Sequence, residues 1–205
     1  LRRQRQMCIR DRRSLTLDLR NEESQNIIKD LVSVCDVVLE NFTPRVMARF
    51  GLDFESLKVH KPDLIMVSNT GYGHSGPWSN FGAMASALEP THGTGAFMGY
   101  MEEGFDGSLK EGDVPNKMGN SYSDFLASWT ALGALMGCLL RRARTGEGQW
   151  IDLAMYQTGT TVIGAGLLDF AFNARRTQRI GNRHPCWSPH GVYRCQGADQ
   201  WVSIV

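Results

Sequence analysis

The carboxylate of Asp124 stands directly in front of a long apolar run, FLASWTALGALMGCLL, which contains no other charged side chain. An Asp in this place is most often a helix N-cap, whose side chain accepts a backbone N–H of the first turn. The helix macrodipole would also keep the carboxylate ionised, and an ionised carboxylate can act as a nucleophile. Residue types and spacing leave both roles open.

The apolar run itself predicts a helix. Large residues recur every three or four positions and form one stripe: Phe125, Trp129, Leu132, Met136 and Leu139. Small residues form a second face: Ala127, Ala131, Ala134 and Cys138. Because both faces are apolar, we predict that the helix is buried on both sides and that Asp124 lies at the mouth of a core element.

A second group of reactive residues lies in HPCWSPHGVYRC, where His184, Cys186, His190 and Cys195 offer four ligands that zinc accepts. Their spacing fits no familiar zinc finger, and the prolines favour a turn that leads into a strand. We therefore predict no metal site. The five cysteines are odd in number and form no CxxC pair, which is typical of a reduced cytoplasmic protein.

The loop GYGHSGP (71–77) matches the letters of a dinucleotide fingerprint. That fingerprint requires a helix directly after the glycines, whereas Pro77 and Trp78 follow here. We interpret the segment as a tight glycine loop at the carboxyl edge of a sheet, which is the edge where open α/β sheets bind ligands.

Composition limits the function classes. The chain has 205 residues, 42% hydrophobic and 21% charged, which is typical of a soluble globular protein. Its net charge of +1 combines a local +5 within residues 1–13 with −4 in the rest, so nothing outside that arm favours nucleic-acid binding. We expect no membrane span, because no apolar run reaches the length that a span needs.

Strand and helix patterns alternate from residue 14 onward. Period-two or fully apolar strands are predicted at 14–19, 36–41, 64–68 and 150–155, and helices at 21–35, at two short segments after residues 43 and 53, and at 156–173. Thr43 and Pro44 are predicted to cap and begin the first short helix, and Asp53 to cap the second. Strands joined by helices predict βαβ units, and hence a doubly wound α/β fold with a parallel sheet.

Five segments in this order resemble the class III CoA-transferases, such as the formyl-CoA:oxalate and carnitine enzymes, and the related α-methylacyl-CoA racemases. The segments are RRSLTLDLR, DVVLENFTP, GYGHSGP, SDFLASWTALGALMGCLLRRARTGEGQWIDLAM and GNRHP followed by GVY. The resemblance implies a Rossmann-like large domain, a smaller α+β domain and an interlocked homodimer. Members are about twice as long, so we expect a fragment: a non-native or disordered arm at 1–12, part of the CoA-binding large domain at 13–180, and a linker with the start of the small domain at 181–205.

The same resemblance implies roles for individual residues. Asp124 falls at the catalytic aspartate of the family. Five other residues match positions that contact coenzyme A: Leu17, Arg20, Asn41, Phe42 and Arg49. Strand ends and helix N-termini present the donors that a phosphorylated nucleotide needs, which agrees with these positions.

The chain departs from the family where Ala83 and Met84 replace the acidic helper of many transferases and the catalytic His of the racemases. A missing His weighs against racemization, because that reaction needs a second acid/base group on the opposite face of the substrate. Glu89 and His92 lie just downstream and could substitute, although we expect both to belong to a solvated loop.

The resemblance implies an enzyme that transfers coenzyme A from an acyl-CoA to a small carboxylic acid through an aspartyl intermediate, and we expect it to be cytoplasmic. Coenzyme A would be a substrate, with no prosthetic group, no metal, and neither nucleic acid nor membrane as a partner. Two alternatives stay open: an acyl-CoA racemase of the same superfamily, and a CoA-binding fragment without turnover. We expect the 205-residue chain by itself to be inactive.

Overall fold

A parallel three-stranded sheet forms the centre of the chain, whose computed structural model describes residues 11–99, 119, 122–177, 179–180 and 183–205. The strands β1 (Val37–Glu40), β2 (Ile65–Thr70) and β3 (Gln149–Ala154) lie side by side in chain order. Both pairs are parallel, with Val37 opposite Ile65 and Ile65 opposite Gln149. The sheet confirms the predicted βαβ organisation.

Helices connect and cover the strands. In chain order they are α1 (Glu22–Val34), α2 (Val46–Arg49), α3 (Phe54–Leu57), α4 (Ala85–Thr91), α5 (Tyr122–Thr145), α6 (Met155–Val162) and α7 (Gly164–Asn173). The side chain of Asn21 caps α1, and Asp53 caps α3 by accepting the backbone N–H of Ser56, as predicted for Asp53.

Three sequence-based predictions about these elements are wrong. Residues 14–19 have the alternation of a strand but form none, because no described strand pairs with them. Helix α2 begins at Val46, after a left-handed Arg45, and not at the predicted Thr43–Pro44. The segment 156–173 is two helices separated at Ile163, where glycines on both sides weaken a continuous helix.

Hydrophobic clusters occupy both faces of the sheet, as a doubly wound fold requires. One contains Val67, Leu88, Ala127, Ala131, Leu153 and Met155 and joins α4, α5 and α6 to the sheet. The other contains Val32, Leu52, Leu57, Leu64 and Met66 and joins α1 and α3 to the opposite face. The helices therefore hold the strand ends from two sides.

Helix α5 contradicts the prediction that it is buried on both faces. Its small residues Ala127 and Ala131 face the sheet, whereas Phe125 and Trp129 are 60% and 71% exposed. The small side chains let the helix approach the sheet closely, and the large stripe then points outward. By length and composition α5 could cross a membrane, contrary to our expectation, but one such helix is weak evidence and this one packs on the sheet.

An antiparallel hairpin of β4 (Gly191–Arg194) and β5 (Trp201–Ile204) follows at the point where the sequence predicted a second domain. That domain boundary stays a prediction. Most of the arm predicted at 1–12 lies outside the described residues.

Candidate active site

A cleft of about 320 Å³ opens at the carboxyl ends of β1 and β2. Asn41 and Phe42 directly follow β1, and Thr70 and Gly71 lie at the end of β2. The other walls come from the segment 81–88, which includes the first residues of α4, and from the starts of α5 and α6. The site therefore lies where parallel α/β sheets place their ligands.

Asp124 lines this cleft from the first turn of α5. The helix begins at Tyr122, so Asp124 is its third residue and not the N-cap that an isolated carboxylate before an apolar run suggests. Among the described residues that line the cleft, Asp124 alone carries an ionisable side chain. Its place in the first turn puts the carboxylate at the positive end of the helix dipole.

Hydrogen bonds hold the residues after β1, and one of them joins the ends of β1 and β2. The Asn41 side-chain amide donates to the backbone carbonyl of Asn69 on β2. The backbone N–H of Phe42 donates to the buried carboxylate of Glu40 over 2.8 Å. These contacts hold the backbone of the cleft wall that Asn41 and Phe42 form.

The structure does not bring the other predicted coenzyme A contacts into the cleft. Leu17 is half-buried outside it, and Arg49 ends α2 as an exposed side chain. Arg20 is exposed and pairs with Asp18 over 3.0 Å, and its guanidinium holds the pKa of that carboxyl below the ordinary value. Roles for Leu17, Arg20 and Arg49 in binding a nucleotide stay predictions.

The glycine loop after β2 is a fixed turn. Gly73 has a φ of +83°, which favours glycine, and its N–H donates to the Thr70 hydroxyl over 2.9 Å. The N–H of His74 donates to the carboxylate of Asp152 on β3. The next helix begins only at Ala85, so the loop lacks the helix N-terminus of a dinucleotide fingerprint.

Packing at Gly71 brings Ala83 against the end of β2. A Cβ atom at Gly71 would lie 2.3 Å from the Cβ of Ala83. The small side chains at both positions therefore let the segment before α4 close this side of the cleft.

Glu89 and His92 are buried, which contradicts the prediction of a solvated loop. Glu89 is 4% and His92 2% exposed, and both contact the start of α5. Burial lowers the pKa of His92, although the nearby Glu89 acts in the opposite direction. Their spacing of three residues puts both side chains on one side of a helical turn, which is the sequence signal for a shared neighbour.

In the segment predicted to turn, His184 stacks on Trp187 with ring centroids 4.2 Å apart. The Nδ1 atom of His184 accepts the backbone N–H of Cys186 over 3.2 Å. These contacts hold residues 184–187 together as a turn. The absence of zinc at this segment stays a prediction.

Comparison with known proteins addresses the family directly. The model of CoA-transferase family III matches residues 5–205. The chain belongs to CoA-transferase family III. It is 34% identical over 183 residues to the succinate–glutarate CoA-transferase of Agrobacterium fabrum, covering 89% of this chain and 43% of that protein.

Other family members agree with this result. The succinyl-CoA–D-citramalate CoA-transferase of Chloroflexus aurantiacus is 32% identical, with 90% of this chain and 43% of that protein covered. The crystal structure of a CAIB/BAIF family protein from Brucella suis superimposes with a TM-score of 0.76 at 33% identity, over 92% of this chain and 47% of that one. The chain thus spans less than half the length of these relatives.

Proposed function

We propose that the product of the whole gene transfers coenzyme A from an acyl-CoA donor to a carboxylic acid acceptor, with Asp124 as the nucleophile. The observation that carries the proposal is the cleft at the strand ends, where Asp124 is the ionisable side chain among the described lining residues. Membership of CoA-transferase family III supports the reaction class.

In the proposed reaction, a carboxylate oxygen of Asp124 attacks the thioester carbonyl of the donor. The carbon–sulfur bond breaks, which gives a mixed anhydride and free CoA thiolate. The thiolate then attacks the Asp124 carbonyl and releases the donor acid, leaving an aspartyl-CoA thioester. Each intermediate keeps an activated acyl group, so the energy of the donor thioester is preserved through covalent catalysis.

The acceptor carboxylate completes the cycle. It attacks the aspartyl thioester, forms a second anhydride and expels the CoA thiolate, which attacks the acceptor acyl carbon and frees Asp124. Because water would hydrolyse both intermediates, the active site must exclude it. We infer that the wall around Gly71 and Ala83 contributes to this exclusion.

The choice of acceptors to test follows from the relatives. The names of the two transferases above include succinate, glutarate and D-citramalate. We therefore put short dicarboxylic acids first among the candidate acceptors. The interlocked homodimer and the cytoplasmic location that the sequence predicts belong to this proposal as well.

The test is incubation of the whole gene product with succinyl-CoA and a panel of carboxylic acids, followed by mass spectrometry of the acyl-CoAs. We expect new acyl-CoAs that depend on the acceptor and are absent with Asp124→Asn. Deuterium uptake at the α-carbon of a chiral acyl-CoA without acyl exchange would instead identify a racemase. Binding of acyl-CoA with neither reaction would identify a binding module.

A further inference from the structure

The start of α5 is tied to the end of α4 and the residue after it by two polar contacts that the proposed reaction leaves unexplained. A carboxylate oxygen of Glu89 accepts the backbone N–H of Tyr122 over 3.1 Å. The Nε2 atom of His92 lies 3.0 Å from the hydroxyl of Ser123, which is fully buried. Tyr122 and Ser123 directly precede Asp124, so both contacts act on the turn that carries it.

The Glu89 carboxylate supplies a hydrogen-bond acceptor at the start of α5. The first backbone N–H groups of a helix have no partner within it, and a buried one is costly unless a side chain accepts it. A carboxylate does so and also interacts favourably with the positive end of the helix dipole. Glu89 comes from α4 and not from the cap of α5 itself, so its hydrogen bond also joins two elements.

The His92 contact depends on space that the neighbouring helix leaves for the ring. A Cβ atom at Gly159 of α6 would lie 2.3 Å from the His92 Cδ2 atom, so only glycine fits there without a shift. The ring is thus held between α6 and the start of α5. Thr94 also holds the end of α4, because its hydroxyl donates to the backbone carbonyl of Glu89 over 3.2 Å.

Helix α4 connects these contacts to the cleft. Its first residues, Ala85 and Ser86, line the same cleft as Asp124, while Glu89 at the other end holds the turn before Asp124. One short helix therefore sets the distance between one cleft wall and the carboxylate. We propose that Glu89 and His92 are positioning residues that fix the Asp124 carboxylate relative to the bound acyl-CoA.

The inference rests on the proposed transfer reaction, but it concerns how Asp124 is positioned and not its role as the nucleophile. Neither residue lines the cleft, so neither should contribute to acyl-CoA binding. Loss of either contact should let the Asp124 turn shift, and a displacement of about 1 Å lowers turnover by up to about a hundredfold. The effect should therefore fall on kcat and leave KM for the acyl-CoA nearly unchanged.

The experiment uses four variants of the whole gene product in matched pairs. Glu89→Ala removes the acceptor, whereas Glu89→Gln keeps an oxygen that can accept the Tyr122 N–H. His92→Leu removes the ring nitrogen, whereas His92→Gln keeps a polar group near the Nε2 position. We expect kcat to fall about ten- to hundredfold in the Ala and Leu variants, with KM within about threefold of wild type, and to recover mostly in both Gln variants.

Two further variants separate positioning from general stability. Leu57→Val loses buried volume in the cluster on the opposite face of the sheet and should lower the melting temperature with kcat unchanged. Ser123→Ala removes the partner of His92 with little change in volume, so it tests the contact even if Glu89→Ala fails to fold. It should lower kcat about as much as His92→Leu.

Wild-type kcat in Ser123→Ala and in the folded Ala and Leu variants would overturn the inference, and so would a loss confined to KM. These outcomes are distinct from failure of the proposed function. If Asp124→Asn is inactive while Glu89→Ala retains full turnover, the nucleophile assignment survives and the positioning role does not. If Asp124→Asn retains transfer, the proposed function itself is wrong.

Discussion

His92 shows at the residue scale how burial changes the behaviour of a side chain. Its ring lies between α6 and the start of α5, and burial lowers its pKa below the ordinary value. The folded protein therefore keeps the ring neutral at pH values where an unfolded His, with a pKa of about 6.5, already binds a proton. Stability linked to His92 is complete above about pH 6.5 and is lost as the pH falls toward the folded pKa.

This linkage predicts a difference between wild type and His92→Gln. As the pH falls below about 6.5, the free energy of unfolding of wild type should decrease more steeply than that of the variant, which has no proton to bind at this position. Urea denaturation of both proteins across this range measures the slopes. Parallel slopes would contradict the inference that His92 is neutral when folded.

Arg49 is the clearest test of the coenzyme A contacts that the resemblance implies. It is exposed and lies outside the cleft, as a residue that binds a phosphate at the protein surface could. We predict that Arg49→Ala raises KM for the acyl-CoA about five- to tenfold at low salt, less at high salt, with kcat unchanged. Arg144→Ala, an exposed arginine in the last turn of α5, is the matched control and should have no effect.

The sequence predicts residues at strand ends better than residues between helices. Asn41 follows an apolar strand, and parallel strands end at one edge, so its place at the ligand-binding edge of the sheet can be inferred from order alone. The prediction that Glu89 is solvated was wrong, because its burial depends on how α4 packs against α5. That packing joins residues 33 positions apart in the chain, so no local sequence pattern indicates it.

At the scale of elements, small residues of α5 set the position of the helix that carries Asp124. Ala131 is 7% exposed against the sheet, whereas Ala134 is exposed although the sequence assigned it to the same face. We predict that Ala131→Leu lowers the free energy of unfolding by about 1–3 kcal/mol through overpacking. Ala134→Leu should change it by less than about 0.5 kcal/mol.

Chemical denaturation of the two leucine variants measures this difference. Equal losses would mean that Ala134 is as closely packed as Ala131, which would contradict the arrangement of α5 on the sheet. The sequence predicted that both stripes of α5 are buried, because periodicity reports which residues share a face and not what surface that face meets.

The whole described molecule leaves much apolar surface uncovered. The stripe of Phe125, Trp129, Leu132, Met136 and Leu140 on α5 is exposed along its length. Contiguous exposed patches of this kind mark interaction sites or aggregation. The chain also spans less than half the length of its relatives.

We therefore predict that the 205-residue chain, expressed alone, binds a hydrophobic dye and aggregates. Replacing Trp129 and Met136 by Lys should reduce both dye binding and light scattering, whereas the same change at two exposed polar positions of α1, Asn26 and Ser33, should not. A monodisperse chain that melts cooperatively and binds no dye would refute this prediction.

The central claim is that Asp124 forms a covalent bond to the acyl group. Hydroxylamine added to the whole gene product during turnover converts an aspartyl anhydride or thioester to a hydroxamate, which mass spectrometry locates on a peptide. We predict modification of the peptide that contains Asp124, dependent on acyl-CoA, and none in Asp124→Asn, whose transfer rate falls by several orders of magnitude while its fold persists. Modification at another carboxylate such as Glu89, or near wild-type transfer by Asp124→Asn, would contradict the account.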